Sequence, residues 1–286
     1  MIERFLDRDS VGLSDSQWEQ LENVVIETAR RSLVGRRFIP VYGPLGPGVQ
    51  TVPLHEFEGT YAGEADITGE AECGIVKTSS IRHITLPIIH KDFLILWRNV
   101  ASTEIGLPLD LAPASSAATF TARKEDDLIF NGYSELGLDG ILTTKGRKTL
   151  PLSDWKQVGN AFNDVTAAME ALGHDGFYGP YALIVPPILY AQMHGVHERT
   201  GVLEIRNVEE LTTAGIFRSQ VVPDNKAVVV SVGSQNMDLA IAQDMTVASL
   251  GPEKMNLALR VFEVLAPRIK RPKAIVTLEK AGASKK

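Results

Sequence analysis

The residues of this 286-residue chain that could do chemistry are few: six histidines, one cysteine and several acidic clusters. The histidines are His55, His83, His90, His174, His194 and His197, and only the last pair is close in sequence. In HGVHE (194 to 198), two imidazoles and Glu198 could share a metal if the segment were helical. A zincin needs H-E-x-x-H, and Gly195 and Gly201 favour a loop, so a solvated histidine pair is the preferred reading. No Glu-x-x-His occurs, which excludes a di-iron bundle site built from that motif. The sequence GPLGPG (43 to 48) lacks the Gly-Lys-Ser/Thr ending of a phosphate loop, and its prolines remove N–H groups that would cradle phosphate. GYSEL (132 to 136) lacks the second glycine of a nucleophile elbow, so Ser134 reads as a turn residue after a helix. Glu125, Asp126 and Asp127 read as a solvated helix face. Nothing assembles a nucleophile, a base and an orienting group, so an enzyme is not expected.

The elements that would carry these residues follow from periodicity. Ser14 or Asp15 caps a helix running to about Val34, with Trp18, Leu21, Val25, Ala29 and Leu33 on one face and Gly35 ending it. Its glutamates lie early and its arginines late, as the helix dipole favours. Three glycines and four prolines between residues 38 and 53 leave an extended, turning arm. Residues 54 to 80 carry Glu56, Glu58, Glu64, Asp66, Glu70 and Glu72 against a single Lys77, and offer little to a core. Such a segment needs a partner in another chain or stays disordered. Ile84, Leu86 and Ile88 then alternate as in a strand, and the apolar run Phe93 to Trp97 follows, with Trp97 filling a core or an interface.

After Pro113 a long helix places Ala114, Ala117, Ala118, Thr121, Glu125, Leu128 and Ile129 on one face, with Gly132 just past its end. A further helix aligns Phe162, Val165, Met169 and Leu172. YALIV (181 to 185) is a buried strand, short helices fall near 188 to 193 and 202 to 211, and the last third is strand-rich up to a tail expected to be mobile. The class is α+β, with a middle domain of about 145 to 250.

Composition narrows the role. Hydrophobic residues make up 44% and charged residues 22%, as in ordinary globular proteins. A net charge of -6 argues against a general nucleic-acid binder. Cys73 stands alone, so no intrachain disulfide forms and a reducing cytoplasm fits. The opening MIERFLDRDSVGL has no signal-peptide pattern, and no apolar run approaches a membrane span.

The segments QWEQLENVVIETARRSLVGRRF (17 to 38), VYGPLGPGVQTVPL (41 to 54), KEDDLIFNGYSELGLDGILT (124 to 143), DGFYGPYALIV (175 to 185), LAIAQDMTVASLG (239 to 251) and LRVFEVLAPRIKRPKAIVTLE (259 to 279) occur in one order. Together they resemble the encapsulin shell proteins, whose fold is that of the HK97-type phage capsid subunit. SLVGRRFIPVYGPLGPGVQTVP and KDFLILWRNV are most similar to the myxobacterial iron-storing branch. The resemblance implies an icosahedral homo-oligomeric nanocompartment around a ferritin-like cargo, which oxidises iron and holds it in the lumen. The cargo would bear a C-terminal or internal targeting peptide.

The resemblance also implies a division of the chain. Residues 1–48 are the N-terminal helix and arm, 49–82 the E-loop, and 83–144 the peripheral domain with a spine helix. Residues 145–252 are the axial domain, and 253–286 are strands returning to the peripheral domain. The cargo peptide would dock near Ile26, Ala29, Leu33, Arg36, Ile39 and Ile275. A five-fold pore loop would comprise His194, Gly195, Val196, His197, Glu198 and Arg199. The acids of 56 to 72 would face a basic surface on a neighbour, drawn from Arg30, Arg31, Arg36 and Arg37. Relatives that bind FMN carry a tryptophan at the place of Trp97, but HKDFLIL before it departs from their pattern, so no cofactor is expected. The alternatives are a prophage-type capsid packaging nucleic acid and, because relatives have been labelled bacteriocins or proteases, an enzyme.

Overall fold

The computed structural model describes residues 3–58, 65–68, 70, 77–198 and 201–280. Glu64, Glu72, Cys73, Arg199 and residues 281 to 286 lie outside that description.

One half of the chain is built on a four-stranded sheet in the order β1 (Val41–Tyr42), β9 (Met237–Glu253), β10 (Asn256–Ile269) and β4 (Ile88–Ile95). β9 and β10 form a long antiparallel hairpin, turned by Lys254 and Met255 at positive φ, as two-residue hairpin turns require. Helices α1 (Asp15–Ser32) and α3 (Ala112–Asn131) pack against this sheet. Ser14 and Gln17 exchange the two bonds of a capping box at the start of α1. Trp18, Leu21, Val25 and Ala29 are then buried against Ala114, Ala118, Val247, Leu259 and Val261. Burying Leu21 or Val25 contributes roughly 1.5–3 kcal/mol each. The alanines of α3 let the helix approach closely, and α2 (Trp97–Thr103) lies at the end of β4.

The other half is a five-stranded sheet in the order β5 (Lys148–Pro151), β11 (Ile275–Glu279), β8 (Lys226–Ser231), β6 (Tyr181–Val185) and β7 (Gly215–Arg218). Helices α4 (Asn160–His174), α5 (Pro187–Gln192) and α6 (Glu204–Leu211) contribute to its core around Trp155, Val165, Leu172, Leu183 and Val208. A third cluster joins the halves, with Ile129 and Phe130 from the end of α3 meeting Ile184, Val228, Leu239 and Ile275. The chain crosses back after α3 at Gly132, whose φ is +74°. A Cβ there would lie 2.3 Å from the Leu138 carbonyl oxygen, so only glycine fits. The third sheet is a separate hairpin of β2 (Thr51–Glu58) and β3 (Lys77–Thr85).

Four expectations are corrected. Ile88 is exposed and Ile89 is buried, because Pro87 sits between β3 and β4 and breaks the alternation. Gly35 does not cap α1, which ends at Ser32 with Leu33 as its C-cap; its bareness lets the following turn approach α3, where a Cβ would meet the Ile129 Cδ1 at 2.5 Å. β9 pairs in the four-stranded sheet although most of it falls within 145–252, and β11, within 253–286, pairs in the five-stranded sheet while β10 pairs in the four-stranded one. Glu125 and Asp126 are buried, not solvated.

Candidate assembly and docking surfaces

The burial of those acids is explained by one arginine. Arg36, just after α1, donates from Nε and Nη2 to the two Glu125 carboxylate oxygens at 2.7 and 2.8 Å. It also reaches Glu263 of β10 at 2.8 Å and Asp244 of β9 at 2.6 Å. Burial pulls the guanidinium pKa down, but the hydrogen bond and charge of Glu125, then the charges of Glu263 and Asp244, outweigh it and raise it. Burial and the neighbouring Glu125 charge push the Glu263 carboxyl well above the usual range, against the pull of Arg36. The residue after Glu125 in α3, Asp126, accepts from the Gly35 N–H at 2.8 Å and the Val34 N–H at 3.1 Å. Burial pushes its carboxyl up to about 7, against those two backbone donors. This cluster ties α1, α3, β9 and β10 into one rigid junction. Arg36 is therefore committed within its own chain, which corrects its assignment as a free cation for a neighbour's acidic segment.

Of the six residues assigned to peptide docking, Ile26 alone offers an exposed side chain. It lines an apolar dimple with Val25, Met245, Thr246 and Val247, closed at one end by Glu22. Ala29 and Leu33 are buried beneath the same helix, Ile39 lies in the cluster joining the halves, and Ile275 is fully buried in β11. The helical period that made Ala29 and Leu33 attractive is the period of the core face. The structure does not bring Ile275 to the dimple's lining.

The segment from His194 to Glu198 is an exposed loop between α5 and α6. His194 donates from Nδ1–H to the Tyr190 carbonyl oxygen at 3.0 Å, and its ring lies 5.1 Å from the Tyr190 ring. His197 and Glu198 are exposed, Val196 bridges to Leu203, and no group of three metal-ligating side chains occurs among the described residues. The loop is pinned by Glu204. Its backbone N–H donates to the Gly195 carbonyl at 3.0 Å, and its buried Oε1 accepts from Gly159 and Phe162 N–H at the start of α4. Gly195 has no room for a side chain, since a Cβ would sit 2.7 Å from Val158. Glu204 was not singled out from the sequence; its partners are more than forty positions away.

Trp97 opens α2 with its indole half exposed, not in a core, and with the Arg98 guanidinium 5.6 Å from its ring. The β2–β3 hairpin buries Val52, Leu54 and Ile84 at its base, while Ile81 is exposed. A two-stranded sheet is marginal in water by itself. Beyond its base it has the character of an arm that needs a partner.

These features define a class: an HK97-type capsid fold, two packed α+β units with a protruding hairpin. The solved structures agree. A virus-like particle from Pyrococcus furiosus superposes with a TM-score of 0.76, at 23% identity, covering 92% of this chain and 99% of that one. The capsid of Myoviridae phage XM1 gives 0.63 at 14% identity, covering 85% and 89%.

Residues 3–266 match the Linocin_M18 family, described as encapsulating protein for peroxidase, and the chain belongs to that family of encapsulin shell proteins. It is similar to the type 1 encapsulin shell protein EncA of Myxococcus xanthus, 46% identical over 283 residues and 99% of both chains. It is also similar to a diheme-cytochrome-encapsulin shell fusion protein of Kuenenia stuttgartiensis, 42% identical over 94% of this chain and 74% of that one. A ferritin-like-encapsulin shell fusion protein of P. furiosus is 32% identical over 55% of this chain. By family the chain is a structural, self-assembling shell subunit and not an enzyme. No helix among the described residues is long and apolar enough to cross a membrane.

Proposed function

We propose that copies of this chain close in the cytoplasm into an icosahedral nanocompartment enclosing a ferritin-like cargo. The cargo oxidises iron and holds it in the lumen, for iron storage and protection against oxidative stress. The observation that carries this reading is the 46% identity with the Myxococcus shell protein across 99% of both chains. The name of the P. furiosus relative, which joins a ferritin-like part to an encapsulin shell, supports the choice of cargo.

In this reading the unit on the four-stranded sheet is the peripheral domain, the five-stranded unit is the axial domain, and β2–β3 is the E-loop. The E-loop obtains from a neighbouring copy the burial its own chain does not supply. Closed symmetry then leaves few sheet edges open. A C-terminal or internal targeting peptide places an apolar side chain in the dimple at Ile26, and the histidine loop lines a pore through which ions pass. The shell uses no cofactor of its own.

The test is co-expression with a ferritin-like protein with and without a targeting peptide, followed by electron microscopy and mass spectrometry of the contents. Closed particles that load only the tagged cargo are expected, and Ile26→Asp should form shells but empty them. Loading that ignores both the tag and Ile26 refutes the docking site. Particles filled with nucleic acid would instead favour the capsid reading.

A further inference from the structure

A cleft of about 510 Å³ lies between the two units, and four arginines dominate the charge of its lining. Arg31 comes from the last turn of α1, Arg37 from the turn after it, Arg123 from α3 and Arg218 from the end of β7. All four are exposed, in a chain whose net charge is -6. Asp126 is the one carboxylate in the lining, and its oxygens already accept backbone N–H groups from Val34 and Gly35.

The arginines' own partners are weak. Arg31 reaches Glu27 at 3.5 Å with both side chains largely in solvent, Arg37 donates to a backbone carbonyl, and Arg218 lies over the Tyr190 ring at 5.7 Å. Asp127 feels the charge of Arg123 but takes its hydrogen bonds from Lys124 and Asn131. Four like charges gathered round one cavity repel each other, and a multiply charged anion would relieve that repulsion. Guanidinium groups present paired donors that match phosphate oxygens. The cavity's volume is in the range of small-molecule sites, and Phe120, Tyr190 and Phe217 give it aromatic walls.

We propose that this cleft binds a diphosphate- or triphosphate-bearing small anion, clamped between Arg31 and Arg37 on one side and Arg123 and Arg218 on the other. Because the four arginines come from both units, the bound anion braces the junction between them. This assignment is independent of the cargo and of the Ile26 dimple.

The test uses assembled shells and calorimetric titration with inorganic diphosphate, ATP, adenosine and a poly-glutamate peptide. Diphosphate should bind, more weakly at high salt, and raise the temperature of shell melting. Binding of ATP without adenosine locates recognition in the phosphates, and tighter binding of ATP than of diphosphate adds the aromatic walls. Arg123→Ala and Arg218→Ala, both surface changes, should each weaken diphosphate by roughly tenfold or more, the range for charged hydrogen bonds. Arg123→Lys should recover only part. The proposal falls if diphosphate and ATP do not bind, if the alanine variants bind them unchanged, or if only poly-glutamate binds.

Discussion

Replacing Arg36 with alanine should destabilise the subunit more than any other single surface-to-core charge change. In the folded chain the guanidinium is mostly buried and contacts three carboxylates from three different elements. Glu125 and Glu263 are both fully buried, so neither can exchange its lost partner for water. Removing one member of such a buried set costs about 3–5 kcal/mol. Glu263 already has a raised pKa at Arg36's side, and loss of the cation raises it further. A folded-state pKa above the unfolded value gives stability that is present at low pH and lost as pH rises through the folded value. The penalty of Arg36→Ala should therefore be larger at pH 8 than at pH 5.5. Arg36→Lys should recover part, since a single ammonium cannot fork across Glu125 and still span to Glu263 and Asp244. Denaturant unfolding followed by tryptophan fluorescence, at fixed protein concentration and both pH values, reads these differences. A loss below about 1 kcal/mol, or one equal at the two pH values, would refute the electrostatic account.

Asp126, with a carboxyl at about 7 against 3.8 for an ordinary one, should cost the wild type roughly 3 kcal/mol of stability between pH 5 and pH 8. Asp126→Asn should flatten that slope in the same unfolding assay. Glu204→Ala should remove the cap on α4, at about 0.5–2 kcal/mol, and raise amide exchange across the loop from 194 to 198. Charge reversal at Glu56, Glu58 and Glu64 together should weaken assembly and alter its salt dependence, measured by light scattering; unchanged behaviour removes the electrostatic role of that segment. A His194/His197 double alanine variant should change the dependence of iron uptake on pH between 6 and 8, and unchanged uptake removes the imidazoles from the pore.

The helices were legible because burial and period coincide there. The face of α3 from Ala114 to Ile129 is buried as its spacing demands, and Trp18, Leu21, Val25 and Ala29 lie beneath α1. The same spacing put Glu125 on the apolar face, a conflict that composition resolved wrongly in favour of solvent. Its resolution is Arg36, 89 positions earlier, and no local pattern encodes a partner so distant. Strand membership failed for a similar reason. Ile275 to Glu279 looks like any buried strand, but it joins the five-stranded sheet through antiparallel pairing with β8 and parallel pairing with β5. For the docking surface, period identified the helix but could not separate its exposed Ile26 from the neighbouring core positions Ala29 and Leu33.

The distribution of charge connects fold to assembly. Arg36 is satisfied inside the chain, whereas Arg31, Arg37, Arg123 and Arg218 surround a cleft with only one carboxylate in its lining. The internal cluster fixes where α1 and α3 sit; those helices carry Arg31, Arg123 and Ile26, and Arg37 lies in the turn directly after α1. Geometry at the cleft and at the dimple thus depends on the same buried junction. A closed shell multiplies any small change in that junction over every subunit, because each contact must recur at the same angle for the surface to close. Desolvating two glutamates around one arginine is a poor way to gain stability, since apolar residues of similar volume often do as well or better. It is an effective way to permit a single arrangement of α1, α3, β9 and β10, because any other leaves a buried charge unpaired.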